Sequence, residues 1–332
     1  MKRDLPIERK ALYNLIRMQW IQDPDPRIEP WQIENLQEHS VEELFRRLKT
    51  HHIDFNKQTF LAFSEPHLTP EEFADDLAAE QDLSPEDGDK IYLIVFELWR
   101  RLIPEKQSLS IFADRLDHLI WAYDAGTIND TADLQDVVAN LLKVLEENTD
   151  EGNDPIDVFE TVSCHMANDL ESFIYDYISD QIEQEDYNYA SDIIDGVIDY
   201  VTDLKWFNLL KARLMALSDP KGSIELIREL ISESHSEPDL EFVFELMDAL
   251  VEIGNDDLFF PLIKEASHLL KIEADLQELL VLCLDYFQRQ DRDELAYEID
   301  TLINQRPPKT PVAPIAAKDP SLQKLLKVLS LT

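Results

Sequence analysis

Apolar residues recur along the chain at intervals of three and four positions, and strict alternation of apolar and polar residues is rare. This spacing places the apolar side chains along one face of a helix. Only 6 of the 332 residues are glycine, although tight hairpins between strands rely on glycine. The pattern therefore predicts an all-α protein.

Capping residues mark several of the predicted helix starts. Ser40 is followed by two glutamates, and Thr69, Ser84 and Asp154 are each followed by proline. A side-chain oxygen at the cap accepts a backbone N–H of the first turn, and proline suits the first helical position because it has no N–H to satisfy. Helices are predicted to follow these caps and to continue along the chain, among them 41–52, 70–81, 86–103, 155–184, 189–204 and 238–253.

Polar and proline-rich segments divide the chain into three parts. The run from Glu146 to Pro155 is polar and turn-forming, which predicts a linker between two lobes. An N-terminal helical lobe is expected over 1–150 and a C-terminal helical-repeat lobe over 151–308. Residues 309–332 then form a proline-rich spacer and a short amphipathic C-terminal helix.

The second lobe shows an internal period. Turn-forming residues at Asp186, Asp219, Gly254 and Asp291 interrupt the helical pattern at intervals of 33, 35 and 37 residues. A period of this length is typical of helical hairpins that stack into a solenoid. We therefore expect an α-solenoid-like arrangement in this lobe.

Residues from about 170 to 308 resemble the tetratricopeptide repeat, whose unit is a pair of antiparallel helices with small residues where they cross. The best unit runs from Asp275 to Pro308, and its matching positions are Leu282, Cys283, Tyr286, Ala296 and Pro307 or Pro308. Ala190 and Ser223 supply the small residue in two other units, whereas Met247 and Phe259 depart from the pattern. Another helical-hairpin repeat remains an alternative.

The C-terminal segment Ser321–Leu331 carries leucines along one side. One interpretation is a capping helix that folds back on the last repeat. The other is a tethered helix that docks on a partner protein.

The charge is strongly negative and unevenly distributed. The chain has 69 acidic and 30 basic residues, a formal net charge of −39. Residues 1–60 contain ten of each, whereas the 61 residues between Lys143 and Lys205 contain 18 acids and no lysine or arginine. This balance argues against direct nucleic-acid binding through a basic groove. Two cysteines and the absence of a long apolar run favour a cytoplasmic protein without a membrane span.

Helical projection places the acids of the base-free stretch on outward faces. At about 100° per residue the aspartates of the helix predicted at 189–204 form one narrow stripe, and those of the preceding helix do likewise. The predicted acidic face consists of Asp169, Asp176, Asp180, Glu183, Asp192, Asp195, Asp199 and Asp203. It either keeps the protein soluble or binds a basic partner.

No motif for catalysis, a cofactor or a metal is found. The chain lacks phosphate-binding glycine loops and zinc-binding histidine pairs. Di-iron sites need two copies of the motif Glu-x-x-His, and Glu265 with His268 supplies one. We expect a non-catalytic scaffold, adaptor or chaperone-like protein that holds a basic or amphipathic protein or peptide, with no cofactor. The alternatives are an enzyme or metal-binding protein that uses carboxylates between helices, and an acidic mimic of nucleic-acid phosphate.

Overall fold

The computed structural model describes residues 6–81, 83–128, 131–316 and 318–330. Over these ranges the chain forms eighteen α-helices and a 3₁₀ turn at Leu36–Glu38, with no β-strand, so the predicted all-α class is confirmed. None of the helices in these ranges combines the length and apolar character needed to cross a membrane. The apolar pattern also predicts a first helix over 5–21 and a last helix over 320–331. Residues 5 and 331 lie outside the described residues.

The chain divides into two compact units. The first contains the described residues up to Ile174 together with Asp199–Val201. The predicted lobe boundary at residue 150 lies inside this unit. Helix α10 (Leu170–Glu183) begins in the first unit and continues into the second. The other helices of the first unit are α1 (Arg9–Gln22), α2 (Pro30–Ile33), α3 (Val41–Thr50), α4 (Lys57–Ser64), α5 (Pro70–Glu80), α6 (Pro85–Leu102), α7 (Leu109–Asp124), α8 (Ala132–Asp150) and α9 (Pro155–Cys164).

The predicted caps are confirmed at four helix starts. The side chains of Ser40, Thr69, Ser84 and Asp154 each accept a backbone N–H from the first turn of α3, α5, α6 and α9, at 3.0 to 3.2 Å. Each bond satisfies one of the N–H groups that a helix start leaves without an intrahelical partner.

The core of the first unit is built around α6. Ile91, Val95, Leu98 and Trp99 are fully buried, as their helical spacing predicts. Phe73 of α5 packs on Trp99, and Phe60 of α4 packs on Phe73. Burial of each large side chain contributes roughly 1.5 to 3 kcal/mol, so this helix anchors the unit.

The prediction of one continuous helix over 155–184 is wrong. Helix α9 ends at Cys164 and α10 begins at Leu170, with a turn between them. The buried carboxylate of Asp117 on α7 accepts the backbone N–H groups of Ala167 and Asn168 at 2.8 to 3.1 Å. These bonds replace the helical ones and stabilise the turn.

The predicted linker is shorter than its polar composition suggests. Helix α8 continues to Asp150, and side chains at Asn148 and Thr149 hydrogen-bond carbonyls one turn earlier, Val144 and Leu145. Residues 151–154 therefore form the connection to α9.

The second unit contains Tyr175–Ile198 and the described residues from Thr202 onward. Helix α12 packs against α13, α14 against α15 and α16 against α17, while α14 also contacts both α12 and α16. The helices of this unit, after α10, are α11 (Tyr187–Val197), α12 (Leu204–Met215), α13 (Pro220–Ser234), α14 (Leu240–Ile253), α15 (Asp256–Leu269), α16 (Glu273–Arg289), α17 (Asp293–Gln305) and α18 (Pro320–Val328).

Three of the positions that carry the tetratricopeptide resemblance are packing positions. Cys283 and Tyr286 are fully buried and Ala296 is 6% exposed. The Tyr286 ring stacks on Phe259, with centroids 3.7 Å apart, and its hydroxyl donates to Asp256 at 2.8 Å. Successive hairpins thus share one core, and membership of the repeat family stays a prediction.

The C-terminal segment folds back on the second unit. The described residues of 306–319 contain no helix, and the carbonyls of Pro311 and Ala313 accept N–H groups from the first turn of α16, from Ala274 and Glu273. Helix α18 then packs on α17 with Leu322 and Leu325 buried. Of the two interpretations of this helix, the structure shows the one in which it packs in cis.

A buried ion cluster holds this segment in place. Arg306 donates to Glu273, which is fully buried, and to Asp319 at 2.8 and 3.0 Å. The guanidinium of Arg306 keeps the pKa of Glu273 below its usual value and lowers the pKa of Asp319 to about 2. Lys309 lies 3.4 Å from Glu273 and is one-third exposed.

Replacing Arg306 by methionine is expected to lower the free energy of unfolding by about 3 kcal/mol, because two buried carboxylates lose their main partner. Urea denaturation at neutral pH measures this change. Arg228→Met, which alters an exposed arginine on α13, serves as the control. Equal midpoints for the two variants would show that the cluster does not hold the segment.

Candidate partner-binding surface

The residues of the predicted acidic face are accessible to solvent. Asp180 is half-buried and the other seven are exposed. The faces opposite them are apolar and buried, as the helical projection requires: Ile174 and Ile178 on α10, and Ile194 and Val197 on α11, are at most 2% exposed. The predicted outward direction of these acids is therefore correct.

The single stripe predicted for Asp192, Asp195, Asp199 and Asp203 does not form. Helix α11 ends at Val197, so Asp199 lies in a turn and Asp203 directly precedes α12. The helical projection does not apply beyond Val197. Asp192 and Asp195 remain on the exposed face of α11.

Asp169 and Asp203 have local structural contacts. Asp169 precedes α10, and its side chain accepts the backbone N–H of Ser172 at 3.2 Å. Asp203 accepts the indole N–H of Trp206 at 3.1 Å. A carboxylate at a helix start is stabilised by the unpaired N–H groups and by the helix dipole.

Asp176 belongs to a larger group of carboxylates that the sequence pattern did not predict. On α14 its electrostatic neighbour is Glu245, which accepts a hydrogen bond from the hydroxyl of Tyr175 at 2.5 Å. Glu245 also interacts with Asp248 on its own helix and with Glu278 on α16. We call this group the carboxylate patch: Asp176, Glu245, Asp248, Glu252, Glu278 and Asp285.

Three members of the carboxylate patch have raised pKa values. Partial desolvation is the main cause for Glu245, Asp248 and Glu278, and neighbouring carboxylates add to it. Both effects disfavour the ionised form. The patch therefore carries negative charge that the surrounding protein does not fully stabilise.

Arg213 on α12 opposes part of this charge. Its side chain is 4% exposed, donates from Nη1 to the hydroxyl of Ser179 at 2.7 Å and places Nη2 3.6 Å from Glu252. It lowers the pKa of both Glu245 and Asp248, yet the pKa of each is still raised. Arg289 also lowers the pKa of Asp248, and the two arginines together do not balance the patch.

Acidic residues follow one another along one side of α14, so each repels the next. Glu241, Glu245, Asp248 and Glu252 follow one another at intervals of four, three and four. Each neighbouring like-charged pair destabilises a helix by roughly 0.2 to 0.5 kcal/mol. A cation bound here from outside would relieve that repulsion.

The spacing of the acids on α14 is visible in the sequence and could have indicated part of the carboxylate patch. The helix predicted at 238–253 includes all four acids, but it lies outside the stretch without lysine or arginine. The sequence does not show, however, that α10, α12, α14 and α16 bring Asp176, Arg213, Glu245 and Glu278 together.

The other candidate constellations do not converge. Glu265 lies 3.4 Å from the ring of His235, while His268 is exposed. Burial raises the pKa of the Cys164 thiol and lowers the pKa of the adjacent His165. Within the part of the chain that the structure describes, no group of three or more histidine, cysteine or acidic side chains is arranged to hold a metal ion.

Comparison with known proteins found no matching family model, no similar curated protein and no similar solved structure.

Because Glu245, Asp248 and Glu278 have raised pKa values, the effect of the carboxylate patch on the free energy of unfolding depends on pH. The raised pKa values mean that the folded protein binds protons more readily than the unfolded chain, so the patch destabilises the fold at neutral pH and less so as pH falls through those pKa values. Asp248→Asn is expected to raise the free energy of unfolding by about 0.5 kcal/mol at pH 7 and low salt. The gain should shrink at lower pH.

Urea denaturation at pH 7 and at pH 5 measures the difference. Glu105→Gln, an exposed carboxylate in the loop before α7, is the control and should have little effect at either pH. A loss of stability in Asp248→Asn at pH 7 would contradict the expected direction of the change.

Proposed function

We propose that the protein is a non-catalytic scaffold or adaptor whose second unit binds a basic or amphipathic segment of a partner protein. The observation that carries the proposal is the carboxylate patch, in which Glu245, Asp248 and Glu278 have raised pKa values on neighbouring helices. The exposed Asp192 and Asp195 of α11 add negative charge to the same unit.

Unbalanced charge on a folded surface favours an external cation. A lysine or arginine of a partner would lower the pKa values of the patch and remove repulsion that the fold otherwise retains. The surrounding negative charge would also speed association with a basic partner.

An exposed apolar side chain beside the patch suits an amphipathic partner. Val281 on α16 lies between Glu278 and Asp285 in the sequence and is 46% exposed. A partner helix with lysines on one side and leucines next to them would place both kinds of group on this surface. Packed helical hairpins supply such an extended surface, and we propose that those of this unit form a solenoid.

Neutralising the patch is expected to weaken binding of a basic peptide. The variant Glu245→Gln, Asp248→Asn, Glu278→Gln should raise the Kd of a synthetic lysine- and leucine-containing amphipathic helix about tenfold at about 50 mM salt, because Coulomb attraction is lost. Fluorescence anisotropy measures Kd. Wild-type affinity should fall between about 50 and about 500 mM salt.

The matched control removes three charges from another helix. Glu225→Gln, Glu229→Gln and Glu233→Gln change exposed residues of α13. If both triple variants weaken binding equally, the effect comes from net charge and the patch is not a binding site.

The predicted acidic face of α11 is tested separately. Asp192→Asn with Asp195→Asn should reduce capture of native partners from a cell extract at low salt, because two exposed charges of the same surface are removed. Quantitative mass spectrometry of the captured proteins compares this variant with Glu225→Gln plus Glu229→Gln. Unchanged recovery would remove α11 from the proposed surface.

A further inference from the structure

A cavity in the first unit differs in character from the rest of this acidic protein. It lies beside α7, between the end of α6 and α8, and has a volume of about 540 Å³. Pockets for small molecules occupy roughly 300 to 1,000 Å³ and combine an apolar surface with a few polar groups. We call it the α7 cavity.

The floor of the α7 cavity is apolar. Trp99, Ile103, Phe112 and Val137 line it, and each is at most 7% exposed. These side chains belong to the core of the unit. A ring or a branched aliphatic group of a ligand would lose its hydration on contact with this floor.

The rim carries cations that no carboxylate neutralises. Arg115 is exposed and has neither an ion pair nor a hydrogen bond within the described ranges. Lys106 donates its N–H groups to the backbone carbonyls of Ser64, Glu65 and His67, which hold the side chain without cancelling its charge. Lys106 and Arg115 therefore place two positive charges without an acidic ion-pair partner among the described residues at one cavity.

The other charges around the α7 cavity are largely balanced. Asp114 forms an ion pair with Lys10 at 2.7 Å, and Arg100 with Glu97 at 2.7 Å. Asp136 reaches the rim and contributes one negative charge. Lys106 and Arg115 carry two positive charges, so the rim has a net charge of one positive after Asp136 is counted.

Neutral hydrogen-bonding groups complete the rim. Gln107 and Asn140 are exposed and lie on the same cavity as Arg115. Their amides offer both hydrogen-bond donors and acceptors. The guanidinium of Arg115 matches the planar geometry of a carboxylate.

We propose that the α7 cavity binds a small apolar carboxylate, with the carboxylate on Arg115 and the apolar body on the floor. Lys106 contributes through its charge, because its N–H groups already have acceptors. The site lies in the first unit, so it is independent of the proposed partner-binding surface of the second.

Benzoate and benzamide form a matched pair of probes, since they share a ring and differ in charge. Isothermal titration calorimetry of the full chain is expected to give at least tenfold tighter binding for benzoate, because a charge-assisted hydrogen bond is roughly twice as strong as a neutral one. Acetate, which has the charge without the ring, should bind more weakly than benzoate. Equal binding of benzoate and benzamide, or no saturable binding of benzoate, would overturn the proposal.

Variants locate the site. Arg115→Gln is expected to weaken benzoate binding about tenfold and to leave benzamide binding unchanged, and Arg115→Glu should abolish benzoate binding. Arg228→Gln, an exposed arginine of the second unit, is the control for net charge. Because Arg115 has no partner within the described ranges, thermal unfolding should be the same for all variants. If Arg115→Gln and Arg228→Gln bind benzoate equally well, the carboxylate does not lie on Arg115.

Discussion

Ionised carboxylates must remain hydrated or acquire a partner when the helices that carry them pack together. Removing such a group from water without compensation costs several kcal/mol. With 69 acids and 30 bases, this chain cannot pair every acid with a base. Each helix therefore turns its apolar face to a neighbour and leaves most of its acids outside, which explains why an all-helical fold accommodates so much negative charge.

Several bases pair with acids that are buried. Glu97 is contacted by Arg100 and Arg101, Asp114 by Lys10, and Glu273 together with Asp319 by Arg306. Asp117 is buried without a cation and is satisfied by backbone N–H groups. The ion pairs of Asp114 and Glu273 tie distant parts of the chain together. The carboxylate patch is the place where hydration is reduced and pairing is incomplete, and for that reason it is the surface most suited to a basic partner.

Features controlled by local interactions could be predicted from the sequence. Caps such as Ser40 and Thr69 act within one turn, and the buried stripe of α6 follows from helical spacing alone. The break between α9 and α10 was not predicted, because its cause, Asp117, lies about fifty residues away and no proline or glycine marks the turn. Of the carboxylate patch only Asp176 was predicted, because a run without bases is visible in one segment, whereas repulsion between α10, α14 and α16 is not.

The all-α class, most helix starts and the outward direction of the acidic residues are already encoded in the order of the amino acids, because apolar periodicity and capping depend on neighbours within one or two turns. Tertiary packing settles which acids share a surface, which arginines partly balance them and whether the C-terminal helix packs in cis. Those outcomes depend on burial and on distances between helices far apart in the chain. The net charge of −39 shows that acidic side chains must repel one another, and the packing of the helices decides where on the surface that repulsion is concentrated.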